Sequence, residues 1–287
     1  MTARQPFTQL CQKLAKPAYR DRADLHVHTT CSDGAYAPAQ VVDLARRSGL
    51  AALAITDHDT IEALPLAEKA AHGHLEIVPG VEITAQYAGR EFHLLGYFFR
   101  RDDAALAEAL ARLRGQRRER FQEMLARLSV MGIHLQESAV LATRVPSRRH
   151  LAEMLVRGKH AGSLRDAFAR YLGDHGRVAI PRVGLPVAEA IALVRGAGGV
   201  AAWAHPPYDC TREKVTELAD WGLQAVEVDF PNCPRQRARA LRVLIQECGL
   251  AVSGGSDCHG PEAKNHAVGS HGVSRLELEK LRALATG

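Results

Sequence analysis

The sequence has no long hydrophobic run, no repeat or low-complexity segment, and no closely spaced cysteine pair. Its apolar runs are too short to span a membrane, and no secretory signal pattern opens it, so we expect a cytoplasmic protein. None of the six cysteines belongs to a Cys-x-x-Cys pair. Without a signal peptide, this pattern favours reduced thiols over a disulfide framework.

The charge is unevenly distributed along the 287 residues. The net charge is +5, but residues 101–182 alone contain 16 Lys or Arg and 9 Asp or Glu, so the remainder is slightly acidic. A basic segment of this kind favours an anionic partner, and an arginine-rich solvated helix face explains it equally well. The hydrophobic fraction of 46% is enough for a sizeable core.

Strand and helix patterns alternate on both sides of the basic segment. Apolar runs predict seven strands, at 23–30, 50–56, 75–84, 90–99, 199–204, 225–230 and 250–254. The β-α-β-α order predicts parallel strands joined by crossover helices. Residues 103–180 have helical spacing. We therefore expect an α/β fold, an irregular seven-stranded (β/α)7 barrel of residues 23–102 and 181–287, with a helical insert at 103–180 and an N-terminal arm at 1–22.

Ligand-type side chains are concentrated where the predicted strands end, the position at which barrel enzymes place their chemistry. In the first strand, His26 and His28 alternate with Leu25 and Val27, so both imidazoles face one side. Buried polar side chains are costly unless something satisfies them, and a metal ion does so; a half-exposed strand is the plain alternative. The complete strand-end set is His26, His28, Asp33, His58, Glu82, His93, His205, Asp257 and His259.

These six histidines and three carboxylates are too many ligands for one ion. Imidazole and carboxylate without thiolate suit Mn²⁺, Zn²⁺ or Fe²⁺. We therefore expect two to three divalent ions, manganese before zinc or iron. Asp24, Asp57 and Asp59 are candidates to orient the ligating histidines, and helix capping explains Asp59 equally well.

The motifs closely resemble those of the PHP family, named for polymerase and histidinol phosphatase. They are His-Val-His-Thr-Thr-Cys-Ser-Asp-Gly, Thr-Asp-His-Asp, Gly-Val-Glu, Phe-His-Leu-Leu-Gly, Ala-His-Pro and Gly-Ser-Asp-Cys-His-Gly. The resemblance implies a trinuclear site. In that site His26, His28, Glu82 and Asp257 hold one ion, Glu82 bridges to a second held by His93 and His205, and Asp33, His58 and His259 hold the third.

The helical insert resembles the branch of this family that contains nucleoside 3′,5′-bisphosphate phosphatases and a related 5′-to-3′ exoribonuclease. This implies hydrolysis of the 3′-phosphate of such bisphosphates or of short 5′-phosphorylated RNA. A metal-bound hydroxide would attack in line, with Glu82, His205 and Asp257 as catalytic residues. Where that branch tends to have a Tyr-His-Pro-like segment, this chain has Asp229-Phe230-Pro231. The resemblance therefore does not predict which residues lie on the leaving-group side of the pocket.

The insert also contains candidate substrate-binding residues. Ser147, Arg148 and Arg149 follow Pro146 at a predicted helix start, where backbone N–H groups favour anions. Arginine can hold phosphate oxygens in a bidentate fork. We expect these three residues, with Lys159 one helix length on, to contact a non-scissile phosphate; capping and solvating the helix is the plain alternative.

Three other functions remain open from the sequence. The first is a phosphatase for a non-nucleotide metabolite such as histidinol phosphate, and the second is a non-catalytic domain of the same family that supports a larger partner. The third is a C–N amidohydrolase, which the metal chemistry allows, although three ions suit phosphate better. The intact set of ligand residues argues against the second function. No membrane or obligate protein partner is indicated.

Overall fold

The structure is a computed structural model that describes residues 21–135, 145–181, 184–261 and 266–286. The predicted N-terminal arm lies outside these residues except at its last two positions. The strands are β1 Arg22–Val27, β2 Ala52–Ile55, β3 Glu76–Tyr87, β4 Arg90–Tyr97, β5 Leu185–Pro186, β6 Val200–Trp203, β7 Ala225–Asp229, β8 Ala251–Gly254 and β9 Val273–Ser274. The helices are α1 Pro38–Arg47, α2 Ala63–Ala71, α3 Ala104–Val130, α4 Arg148–Arg157, α5 Leu164–Ala167 with the π-helical turn Phe168–Leu172, α6 Val187–Gly196, α7 Arg212–Asp220, α8 Arg235–Glu247 and α9 Arg275–Arg282.

All these strands belong to one sheet that curls almost into a barrel. Their order is β8-β7-β6-β4-β3-β2-β1-β9, with β5 paired to β3. Backbone hydrogen bonds join β1 to the loop after β8 and so nearly close the sheet. His28 N donates to Cys258 O at 3.0 Å, and Asp257 N donates to His26 O at 2.8 Å. The predicted α/β barrel with seven main strands is therefore confirmed. The two-residue strands β5 and β9 were not predicted.

The prediction of parallel strands was wrong for β4, which runs antiparallel to both β3 and β6. The reason is the connection before it, which has no helix. Ala88 and Gly89 alone join β3 to β4, with φ of 49° and 72°. A tight hairpin turn needs positive φ at such positions. The hairpin places the interior of β3 and β4, rather than their ends, at the candidate site.

The long helix α3 belongs to two hydrophobic clusters. Its first turns, with Leu106, Leu110 and Leu113, pack against the barrel. Its later turns, with Phe121 and Leu128, pack against α4 and the following helical turns. Residues 114–120, between these two contacts, pass beside the candidate site. No helix within the described ranges combines the length and the apolar character needed to cross a membrane.

Candidate metal centre

The structure brings all nine predicted ligands into one cluster, five of them buried and four half-buried. The loops after β1, β2, β6 and β8 carry six of them, β1 itself carries His26, and the β3–β4 hairpin carries Glu82 and His93. His205 and Asp257 have φ of 29° and 47°. Residues other than glycine adopt such conformations at a cost, and residues held in them are often found at functional sites as well as in turns.

Glu82 is at the centre of the cluster and is 1% exposed. Its two carboxylate oxygens face different histidines. Oε2 lies 3.5 Å from His26 Nε2, 3.2 Å from His28 Nε2 and 3.0 Å from His58 Nδ1. Oε1 lies 2.9 Å from His93 Nδ1 and 3.2 Å from His205 Nε2. A carboxylate with separate partners on its two oxygens is suited to bridge two ions.

The ligand atoms form three overlapping groups within 4.8 Å: His28, Asp33, His58 and His259; His26, His28 and Glu82; and His58, Glu82 and His93. Asp257 Oδ1 adjoins the second group, 3.4 Å from both His26 Nε2 and His28 Nε2. His28 and His58 each belong to two groups, whereas the allocation implied by the family resemblance gives each of them one ion. The division of ligands among ions remains a prediction.

The chemistry of the donors fits metal ions. The Nδ1 atoms of His28, His58 and His93 are buried without a hydrogen-bond partner, although a buried polar atom normally has one. For His58 and His93 a Glu82 oxygen is nonetheless only 3.0 and 2.9 Å away. Nitrogen and oxygen ligands bound at about 2.0–2.2 Å to a common ion lie roughly this far apart. The cluster is therefore a metal site with imidazole and carboxylate ligands.

Without an ion, protons compensate the charges in the cluster. Burial alone would lower the pKa of His28, but Asp257 and Glu82 outweigh it and raise that pKa to about 9. Burial is likewise outweighed at His93, where Glu82 and Glu91 raise the pKa to about 10. Burial would raise the pKa of Glu82, yet the surrounding histidines hold it well below its usual range. Metal ions and protons therefore compete for the same ligands.

Two carboxylates that the sequence analysis did not single out contact ligand rings. Glu227 is fully buried on β7, with Oε1 3.1 Å from His26 Nδ1, and its Oε2 accepts from His205 N at 2.7 Å. Glu91 Oε1 lies 3.2 Å from His93 Nε2. Such partners fix ring orientation and tautomer. The alternation Ala-Val-Glu-Val-Asp at 225–229 was an available signal, because it resembles the alternation in β1.

Asp24, Asp57 and Asp59 brace the ligand-bearing loops. Asp24 accepts from the backbone N–H of Ser256 at 2.9 Å and of Gly269 at 2.8 Å. Asp57 accepts from Thr29 N at 2.7 Å and Thr29 Oγ1 at 2.6 Å. Asp59 accepts from Thr84 N and Thr84 Oγ1 on β3 and from Arg117 Nε on α3. The sequence suggested that these three aspartates orient ligand rings or, for Asp59, cap a helix. Their hydrogen bonds instead hold the ligand-bearing loops in place.

The predicted substrate-binding residues separate into two pairs. Ser147 caps α4, and Ser147 and Arg148 line a basic pocket together with Glu91, Arg117 and Arg120. The other two lie outside this pocket. Arg149 Nε pairs with Glu153 Oε1 at 3.1 Å, and the exposed Lys159 lies beyond the far end of α4, about 15 Å along a ten-residue helix.

We expect Glu227→Gln to weaken metal binding and activity by roughly 10- to 100-fold, the usual effect of losing an outer partner of a ligand. The change keeps the side-chain volume but removes the charge that faces His26 Nδ1. Metal titration of the chelated protein measures the affinity. Glu189→Gln, at an exposed carboxylate paired with Arg112, is the matched control. Equal metal affinities for both variants and the wild type would contradict the role of Glu227.

Comparisons with known proteins agree with this geometry. The profile of the PHP domain matches residues 24–172, just over half of the chain. The chain is 31% identical over 246 residues to the 5′-3′ exoribonuclease of Haemophilus influenzae, covering 83% of this chain and 90% of the relative. It is 33% identical over 258 residues to the 3′,5′-nucleoside bisphosphate phosphatase of Chromobacterium violaceum, covering 86% and 90%.

A solved structure shows the same fold. A protein of Bifidobacterium adolescentis classed as a metal-dependent phosphoesterase superposes with a TM-score of 0.85 at 29% identity, over 92% of this chain and 96% of that one. The sequence match, the barrel and the buried histidine–carboxylate cluster lead to the same assignment. The chain belongs to the PHP family and is a metal-dependent phosphoesterase.

Proposed function

We propose that the enzyme hydrolyses a phosphate ester in a substrate that also carries a second phosphate. The candidates are the 3′-phosphate of a nucleoside 3′,5′-bisphosphate and the end of a short 5′-phosphorylated RNA. One observation carries the proposal: the basic pocket adjoins the metal centre. Arg148 Nη2 and His93 Nε2 contact the same carboxylate oxygen of Glu91, at 2.6 and 3.2 Å. One of the two relatives is named for RNA and the other for a nucleoside 3′,5′-bisphosphate, which supports these two candidates.

The metal centre acts on the scissile phosphate. When bound, two or three divalent ions, with Mn²⁺ proposed as the natural metal, supply positive charge that activates water and neutralises the phosphate oxygens. We assign Glu82, His205 and Asp257 as the residues that complete the catalytic site. Glu82 joins the ligand groups, and the left-handed backbone at the other two directs their side chains into the cluster.

The insert, residues 103–180, serves as a cap that supplies the second anion site. Arg117 and Arg120 of α3 and Arg148 of α4 line a narrow cavity of about 30 Å³, enough for water but not for a phosphate. Arg148 is held against Glu91 there. A phosphate enters when the Arg148 side chain exchanges the carboxylate of Glu91 for phosphate oxygens, which arginine can hold in a bidentate fork.

We expect Arg148→Ala to lower kcat/KM by about tenfold or more on a nucleoside 3′,5′-bisphosphate, because a charge-assisted contact contributes about 1.5–3 kcal/mol. The nucleoside 3′-monophosphate should change by no more than about twofold, since only the second phosphate meets Arg148. Phosphate release measures both. Arg157→Ala, at an exposed arginine in the last turn of the same helix, should match the wild type.

The same assay tests the alternatives. Wild-type turnover of histidinol phosphate in preference to the bisphosphate and the 5′-phosphorylated RNA would overturn the substrate class. Absence of turnover on every ester with manganese present would favour a non-catalytic domain. Equal losses for Arg148→Ala on the bisphosphate and the monophosphate would remove the basic pocket from substrate recognition.

A further inference from the structure

His205 has a strained backbone conformation that neighbouring groups hold in place. One residue, Ala204, separates it from β6, and its φ is 29°. Such a conformation persists only where the surrounding structure fixes it. On the side toward β6, His205 N donates to Glu227 Oε2 at 2.7 Å, and Ala204 N donates to His93 O at 3.0 Å. The ring then reaches into the metal cluster, where Nε2 lies 3.2 Å from Glu82 Oε1.

The chain on the other side of His205 is held by a side chain of α8. Arg237 Nη2 donates to the backbone carbonyl oxygen of Pro206 at 2.6 Å. Pro206 is buried, and since proline has no backbone N–H, this carbonyl is the one main-chain group through which it can be held by a hydrogen bond. Glu227 and Arg237 therefore fix the backbone before and after His205.

The guanidinium of Arg237 is itself oriented by two aromatic rings. Its Cζ lies 4.1 Å from the ring centroid of Tyr208 and 5.7 Å from that of Phe230. Nη1 lies 4.0 Å from Cys233 Sγ. Tyr208 belongs to the same loop as Pro206, and Phe230 directly follows β7. A planar guanidinium stacks on such rings and keeps its donors in a fixed plane, which the ammonium of lysine does not do.

We propose that Arg237 is a positioning residue of the metal centre, which acts through the Pro206 carbonyl to hold His205 in the conformation that directs its imidazole toward Glu82. The inference concerns the metal centre alone, so it does not depend on which phosphate ester is the substrate. The charge of Arg237 by itself has the opposite effect, because a cation beside the site repels metal ions. Positioning and charge therefore predict opposite changes in metal affinity when Arg237 is replaced by a neutral residue.

The test is a calorimetric Mn²⁺ titration of the chelated protein that carries Arg237→Met. Methionine keeps a long apolar side chain against the rings and removes both the donors and the charge. We expect the affinity for one ion of the set to fall about tenfold, the lower end of the effect of losing an outer partner of a ligand. Arg239→Met, at an exposed arginine two residues along the same helix, is the matched control and should keep the wild-type affinity.

The same substitution in a His205→Ala background separates positioning from a general loosening of the fold. If Arg237 acts through His205, Arg237→Met should leave the metal affinity of the His205→Ala protein unchanged within about twofold. Equal losses in both backgrounds would overturn the proposal, and so would tighter binding, the effect of removing a positive charge alone. If circular dichroism shows that Arg237→Met does not fold, Arg237→Lys takes its place, because it keeps the charge and loses the stacking that orients the donor. No loss of affinity in the variant that folds would also overturn the proposal.

Discussion

Glu82→Gln is expected to lower phosphate release by a factor on the order of a thousand, well beyond the roughly 10- to 100-fold cost of losing an outer partner. The reason is its position. Glu82 is the carboxylate shared by two of the three ligand groups, and its two oxygens face five histidines. An amide at this position removes a negative charge from both groups and offers a donor where a ligand atom is needed.

Two measurements separate this effect from unfolding. Elemental analysis should find fewer ions per chain in Glu82→Gln, and circular dichroism should find the same secondary structure, because the change preserves side-chain volume in a buried position. Glu227→Gln should show a smaller loss and Glu189→Gln none, so the three variants form a graded series. Near-normal turnover of Glu82→Gln at saturating manganese would refute a bridging role.

The ligand residues could be predicted from sequence because their chemistry conflicts with their surroundings. His26 and His28 alternate with apolar residues in a stretch that is buried from Ala23 to Thr29, and a polar pair in such a stretch requires a partner. Asp257 and His259 follow the apolar strand β8 in the same way. Each such conflict is local in the chain, so periodicity alone reveals it.

The direction of β4 and the role of Glu227 were missed for different reasons. The Ala88–Gly89 connection is too short for a crossover helix, so its length was a readable sign of a hairpin. Glu227 was readable as a charge in an apolar strand, but its partner His26 is 201 residues away. Only the closure of the barrel brings β7 and β1 to opposite sides of the same site.

The basic excess of residues 101–182 illustrates a limit of charge counting. The surplus favoured an anionic partner and an arginine-rich solvated helix face equally, and part of it is engaged within the protein. Arg117 pairs with Asp59, and Arg148 pairs with Glu91. These pairs join the helices to the barrel beside the metal ligands. The arginines that face the site are those on the side of α3 that its packing against the two hydrophobic clusters turns toward the barrel. Composition does not contain that information.

Removing the metal ions is expected to abolish hydrolysis, because the ions supply both the activated water and the charge that neutralises the phosphate. A chelator should reduce phosphate release to background, and added Mn²⁺ should restore it. Elemental analysis of protein prepared with manganese should find two or three ions per chain, since three ligand groups overlap. Less than one ion per chain, with full activity in chelator, would contradict the metal-dependent mechanism.

The chelated protein should also lose stability as the solution becomes alkaline. The pKa of His28 rises from 6.5 in the unfolded chain to about 9 in the fold, and that of His93 to about 10. A raised pKa means that the folded state holds the proton more tightly, so the stabilisation is complete below 6.5 and is lost as the pH rises through about 9 and 10. The carboxylates with lowered pKa stay ionised throughout this range and do not offset the loss.

The metal-loaded protein should not show this alkaline decline, because the ions replace the protons and bind more tightly as the ligands deprotonate. Ions bound only to the folded state add to its stability as well. Thermal unfolding measured from pH 6.5, the ordinary histidine pKa, to about pH 10 shows the difference. Tm should fall with rising pH in chelator and stay constant in manganese. Parallel curves would mean that the histidines are not protonated in the metal-free cluster, and that metal binding there does not displace protons.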